Sequence, residues 1–159
     1  MKETTLCYIE KDNSYLMLLR NKKAIDENKG KWIGVGGKLE EGESVEECLI
    51  REVREETGLI LTGYQARGRV LFESDEWGSE LMHLFTSDRF EGEITEATQC
   101  SEGELRWIPK EEIMNLNLWE GDREFLKLLY DNEPFFEMKL SYKGDRLVQV
   151  SHRDGVCGS

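Results

Sequence analysis

The chain opens with two apolar-rich segments, residues 4–10 (TTLCYIE) and 14–20 (SYLMLLR). Lys11-Asp12-Asn13 between them has turn composition, so the pair predicts a hairpin. The unbroken apolar run of the second segment predicts burial on both faces. Residues 21–31 are polar and charged, with Gly30 near their end, and predict an exposed loop. Residues 32–35 predict a short strand ending at Gly36-Gly37. A long polar segment follows, then strands over 64–73 and 80–87, joined by a loop containing Gly78. Residues 104–108 predict a further strand. Pro109 precedes a short helical stretch, 110–114, and residues 122–130 (DREFLKLLY) predict a helix with Phe125, Leu126, Leu128 and Leu129 available for packing. Segments 135–142 and 146–151 flank Lys143-Gly144-Asp145 as a last hairpin. The tail after Arg153 is expected to fray. Strands outnumber helices without regular alternation, which predicts an α+β fold rather than a doubly wound sheet.

The polar segment, residues 37–59 (GKLEEGESVEECLIREVREETGL), contains eight glutamates. Ser44 with Glu47 three residues on is a capping-box pattern, and Gly58 suits the end of a helix, so a helix is predicted over 45–57. At about 100° per residue, Val45, Cys48, Leu49 and Val53 share one broad face. Glu52 and Glu56 project into that same face, with Glu55 at its edge. Solvation accounts for Glu40, Glu41, Glu46 and Glu47. It does not account for carboxylates one turn apart on the side that meets the protein, where an unpaired charge is costly. Such a cluster suits a hard divalent cation that takes oxygen ligands.

Length and composition limit the alternatives. A chain of 159 residues predicts one domain spanning 1–159. Its net charge of −12 argues against binding duplex nucleic acid or an anionic membrane through the overall field. No apolar run reaches the ~20 residues of a membrane span. Cys7, Cys48, Cys100 and Cys157 lack zinc-ligand spacing. With no signal-peptide pattern, they predict reduced thiols in a cytoplasmic protein, Cys7 and Cys48 in the core. Oligomeric state is left open. Arg20, Lys22, Lys23, Lys29 and Lys31 form a basic cluster, read either as a solvated loop or as facing a phosphate tail.

The order of residues in the glutamate segment resembles the Nudix box without a departure: Gly37, Glu43, Arg51, Glu52, Val53, Glu55, Glu56, Gly58 and Leu59. The resemblance implies the Nudix fold, a mixed sheet sandwiched between helices. It also implies hydrolysis of a nucleoside diphosphate linked to another group. Residue by residue, it implies Mg²⁺ (or Mn²⁺ in its place) held by Glu52, Glu55 and Glu56, with the Gly37 carbonyl a further candidate ligand. Glu43 and Arg51 would form a structural ion pair, and Lys38 would lie against phosphate. Glu55, Glu56 and Glu102 are the candidate catalytic residues, with Glu55 and Glu102 the candidates for accepting a proton from the attacking water. Glu102 is read equally well as a solvated turn acid.

Other segments resemble the MutT-type branch, which clears oxidised purine nucleoside triphosphates such as 8-oxo-dGTP from the nucleotide pool. They are residues 31–38 (KWIGVGGK), Leu118-Trp119-Glu120-Gly121-Asp122, and the strand beginning Phe135-Phe136. By that resemblance Ile33, Trp119 and Asp122 would contact the base; Lys23, from the basic cluster, is a candidate for the phosphates. Trp119 is alternatively a core residue, and Asp122 alternatively the N-cap of its helix. In vertebrate members of the branch, an asparagine stands at the position of Ile33 and a second aspartate at that of Gly121. ADP-ribose, a dinucleoside polyphosphate and a non-catalytic nucleotide-sensing role are the alternative readings.

Overall fold

The computed structural model of the chain describes residues 1–22, 27–95, 98 and 100–154. Strands β1 (Lys2–Lys11) and β2 (Ser14–Arg20) form the first hairpin. Its two turn residues, Asp12 and Asn13, have φ of 51° and 60°. Asp and Asn tolerate this left-handed region best among residues with a Cβ, and two such residues in succession match the twist of the flanking strands.

β1 then leaves β2 and becomes the centre of the sheet. It pairs in parallel with β6 (Gly78–Glu91) and antiparallel with β4 (Val35–Lys38). β2 pairs antiparallel with β3 (Trp32–Ile33) and β7 (Gly103–Pro109). On the other side β5 (Ile60–Ser74) joins β6 antiparallel and β8 (Phe136–Lys143) in parallel, and β9 (Arg146–Asp154) closes the edge against β8. The sheet is therefore mixed.

The single strand expected over 32–35 is divided at Gly34. β3 pairs with β2 through Leu18 and Ile33, whereas β4 pairs with β1 through Cys7 and Val35. A Cβ on Gly34 would lie 2.8 Å from the Cys7 carbonyl oxygen, so the crossing needs glycine.

Alternation along β1 separates two cores. Cys7 and Ile9 face one side and pack with Leu49 and Val53 of α1 (Val45–Thr57). Leu6 and Tyr8 face the other, with Phe125, Leu126 and Leu129 of α3 (Glu120–Tyr130) and Ile113 of the short α2 (Lys110–Ile113). Each fully buried aliphatic contributes about 1.5–3 kcal/mol from burial. With helices on both faces of a mixed sheet, the fold is α+β. β2 is buried on both faces from Tyr15 to Leu18.

Cys7, Cys48 and Cys100 are buried free thiols. Cys157 and the tail expected to fray at residues 155–159 lie outside the described residues. Among the described residues no helix is long and apolar enough to cross a membrane.

Candidate active site

The glutamate helix is fixed at both ends. The Ser44 hydroxyl accepts the Glu47 N–H at 3.1 Å, and the Glu47 carboxylate accepts the Ser44 N–H at 2.9 Å. Such a cap contributes about 1 kcal/mol. Gly58 ends the helix at φ 79°, donating its N–H to Arg54. These two ends set where Glu52 and Glu56 stand relative to the sheet.

Arg51 ties the preceding loop to the helix. Its guanidinium forks onto Glu43, Nε to Oε2 at 2.6 Å and Nη2 to Oε1 at 2.9 Å. Nη2 also donates to the Lys38 carbonyl at 3.1 Å. The hydrogen bonds from Arg51 and the Glu40 N–H hold the Glu43 carboxyl down at about 2. Arg51 further pairs with Glu55 at 3.0 Å and lies 3.6 Å from Glu52.

The loop passes very close to the helix and β1. A Cβ on Gly36 would meet the Thr5 carbonyl oxygen at 1.9 Å, and one on Gly37 would meet Glu52 Oε2 at 1.7 Å. The Glu52 carboxylate therefore rests on the Gly37 backbone. The Gly37 carbonyl accepts the Cys48 thiol at 3.6 Å, which leaves it a second lone pair.

Glu56 is 7% exposed, and among the described residues neither of its carboxylate oxygens meets a partner at full hydrogen-bond geometry. Burial first, then the neighbouring Glu52 charge, raises its pKa to about 8; Arg20 and the Gly36 backbone oppose the shift without cancelling it. Glu52 is pushed to about 6, again mainly by burial, with Arg51 opposing. Glu102, on the turn before β7, adds to the negative field at both groups and lies 3.5 Å from Arg20. A buried carboxylate with neither oxygen fully hydrogen-bonded, beside further acids, is the environment a divalent cation stabilises. The donor set fits such an ion. Glu55 stands apart: its side chain is 55% exposed and turned toward Arg51. Among the described residues no three acidic, His or Cys side chains are yet drawn around one point.

A cavity of about 440 Å³ runs from this loop to the start of α3. Arg20, Gly36, Gly37 and Lys38 line it, as do Ile33, Trp119 and Asp122. The Trp119 indole donates to Asn28 Oδ1 at 2.8 Å, and its ring meets Tyr142 edge-on at 5.3 Å. It also packs against the core cluster that includes Phe125 and Leu126, so the core setting applies, and the ring lines the cavity as well. Asp122 is 5% exposed, and burial with the nearby Glu80 charge raises its carboxyl to about 7.

Asp122 is not the N-cap of its helix. Trp119 holds that position, and Asp122 lies in the first turn, because the helix begins at Glu120. Of the basic cluster, Arg20 lines the cavity. Lys22 donates to the Cys100 carbonyl at 2.7 Å, and Lys31 sits 5.1 Å over the Trp119 ring. Lys23 lies outside the described residues.

Three lining residues, Phe72, Trp77 and Tyr142, were not expected from the sequence. Tyr142 was nevertheless readable. It ends the inward-facing series Phe136, Met138, Leu140 and Tyr142 of β8, which puts a polar-tipped ring at the strand's end.

The NUDIX domain model matches residues 2–129, so the chain belongs to that family and is a Nudix hydrolase. It is 31% identical to the uncharacterised Nudix hydrolase YvcI of Bacillus subtilis, over 91% of this chain and 95% of that protein. It is 34% identical to the oxidized purine nucleoside triphosphate hydrolase of Mus musculus, over 67% of each chain. Its fold superposes on a MutT protein of Bacillus halodurans with a TM-score of 0.84, at 26% identity, covering 96% of this chain and 97% of that one. The last hairpin, β8–β9, lies beyond the matched residues yet completes the sheet and supplies Tyr142 and Gly144 to the cavity.

Proposed function

We propose that this Nudix hydrolase converts oxidised purine nucleoside triphosphates, foremost 8-oxo-dGTP, to the monophosphate and pyrophosphate, and thereby protects the cytoplasmic nucleotide pool. The observation that carries the reading is the single cavity joining the Gly36–Gly37–Lys38 loop to Trp119 and Asp122. It offers a phosphate end and an aromatic end with a carboxyl group, which suits the N–H donors of a guanine-type edge. The likeness to the mouse enzyme supports the same substrate class.

Glu52 and Glu56 would hold Mg²⁺ or Mn²⁺, joined by Glu55 once it leaves Arg51 and by the Gly37 carbonyl. The cation would supply neutralisation of the polyphosphate and a more acidic attacking water. Lys38 and Arg20 would draw the phosphate chain along the cavity, with Lys23 a further candidate. Glu102, beside Glu52 and Glu56, is the better placed acceptor for the water's proton; Glu55 is the alternative. Glu43 and Arg51 hold the loop to the helix and take no part in proton transfer.

A panel of 8-oxo-dGTP, dGTP, ADP-ribose and a dinucleoside polyphosphate, assayed with Mg²⁺, tests this. Preference for 8-oxo-dGTP in kcat/KM is the expected result. Equal use of dGTP or preference for ADP-ribose overturns the substrate. No turnover of any of them, by wild type or by Glu56→Gln, favours a nucleotide sensor.

A further inference from the structure

Trp77 is 46% exposed. It borders the same cavity as Trp119, from a different element, the turn between β5 and β6. That turn is held on three sides. The Ser74 hydroxyl accepts the N–H groups of Glu76 and Trp77 at 3.1 and 3.0 Å. Gly78 reverses the chain at φ 82°. Asp75 Oδ1 accepts the Gly144 N–H at 2.8 Å, which joins this turn to that of the last hairpin. The parallel pairing of β5 with β8 sets Ser74 beside Tyr142, whose ring in turn abuts Trp119. The exposed indole thus stands on an anchored turn beside the Trp119 end of the cavity.

We propose that Trp77 is a second aromatic wall of the base end, packing on the flat ring of the bound nucleotide. Asp75 acts as a positioning residue for it. The inference rests on the nucleotide reading above and adds a specificity-determining residue outside the box and outside the Trp119 segment. Base–aromatic stacking of this kind changes affinity by roughly fivefold to 150-fold.

The test is equilibrium binding of dGMP, 8-oxo-dGMP and ribose 5-phosphate by calorimetry in EDTA, so that neither metal nor turnover enters. Trp77→Ala should weaken both purine nucleotides about fivefold or more and leave ribose 5-phosphate unchanged. Trp77→Phe should restore most of the affinity, and Asp75→Ala should fall between. Melting curves of the variants should match wild type, since the indole is outside the core. Purine binding by Trp77→Ala within about twofold of wild type overturns the proposal, as does equal weakening of ribose 5-phosphate. Failure of wild type to bind either purine nucleotide overturns it together with the nucleotide reading. Equal binding of dGMP and 8-oxo-dGMP by wild type, with both weakened in Trp77→Ala, overturns the substrate and leaves Trp77 in its role.

Discussion

The Tyr142 hydroxyl accepts the Gly121 N–H at 2.7 Å, and it occupies the space a side chain at Gly121 would need. A Cβ there would lie 2.7 Å from that hydroxyl and 2.7 Å from Leu140 Cδ1. The aspartate found at this position in vertebrate members of the branch therefore has no room beside Tyr142. Beside the Asp122 carboxyl this chain therefore carries the Tyr142 phenol where that branch has its second aspartate. Gly121→Asp should cost about 1–3 kcal/mol through overpacking. Gly121→Asp with Tyr142→Phe should recover part of that loss. Denaturant unfolding of the three variants measures it, and an undisturbed midpoint for Gly121→Asp alone would contradict the steric argument.

At Gly37 a single added methyl should act on the proposed cation ligands rather than on the fold. The Gly37→Ala methyl would fall 1.7 Å from Glu52 Oε2, the far end of a flexible side chain. The carboxylate swings away and the backbone stays. The variant should melt close to wild type yet need about tenfold or more Mg²⁺ for half-maximal activity. Titrating activity against Mg²⁺ decides it; an unchanged midpoint would remove Glu52 from the cation's ligands.

These two glycines show what was legible in the chain and what was not. The bounds of α1 follow from local chemistry, with Ser44 and Glu47 closing the start and Gly58 the end, and the helix found is the one expected. β2 was legible for the same reason: its apolar run and the Asp12-Asn13 turn are local. The division at Gly34 was not, because it depends on β1 passing within contact of that residue. Nor was the place of Asp122, since Trp119, Glu120 and Gly121 carry no local helix-start signal. Glu55 turns to Arg51, four residues away, a competition that spacing alone leaves undecided. Trp77 and Tyr142 meet the site only because β5 and β8 pair in parallel across the sheet.

The buried Glu56 carboxyl gives the metal-free protein a pH dependence of known sign. Its pKa rises from 4.5 unfolded to about 8 folded, so across that window the folded state keeps a proton the unfolded state has lost. The resulting stability is complete below the unfolded value and is lost as pH rises through about 8. Glu52, at about 6, and Asp122, at about 7, act in the same direction lower in the range. In EDTA the melting temperature should therefore fall from neutral pH toward pH ~9. Glu56→Gln, neutral throughout, should flatten the upper part of that fall. Mg²⁺ should raise the melting temperature of wild type at the alkaline end and do so far less in the variant, whose kcat should drop roughly 10²-fold or more. A Gln variant with the wild-type slope and the wild-type Mg²⁺ response would place the cation elsewhere.

Asp122→Asn separates recognition from stability. The wild-type carboxyl is buried with its pKa raised to about 7, so above that pH the folded chain holds a desolvated charge beside Glu80. Asparagine removes the charge at nearly the same volume. By the same sign rule the variant should gain stability relative to wild type as pH rises from 3.8 through about 7 and keep that gain above it. If the carboxyl reads the purine edge, the amide presents a donor where an acceptor is needed, and a mismatched buried polar pair costs about 1–3 kcal/mol. The affinity for 8-oxo-dGTP should then fall roughly fivefold to 150-fold. The loss should appear in KM, with kcat nearly unchanged, because on the proposed reading the reacting phosphates would lie by the Gly36–Gly37–Lys38 loop. Ribose 5-phosphate binding should not move. A variant that is more stable at alkaline pH and also keeps the wild-type KM would leave Asp122 only a structural part in the base end.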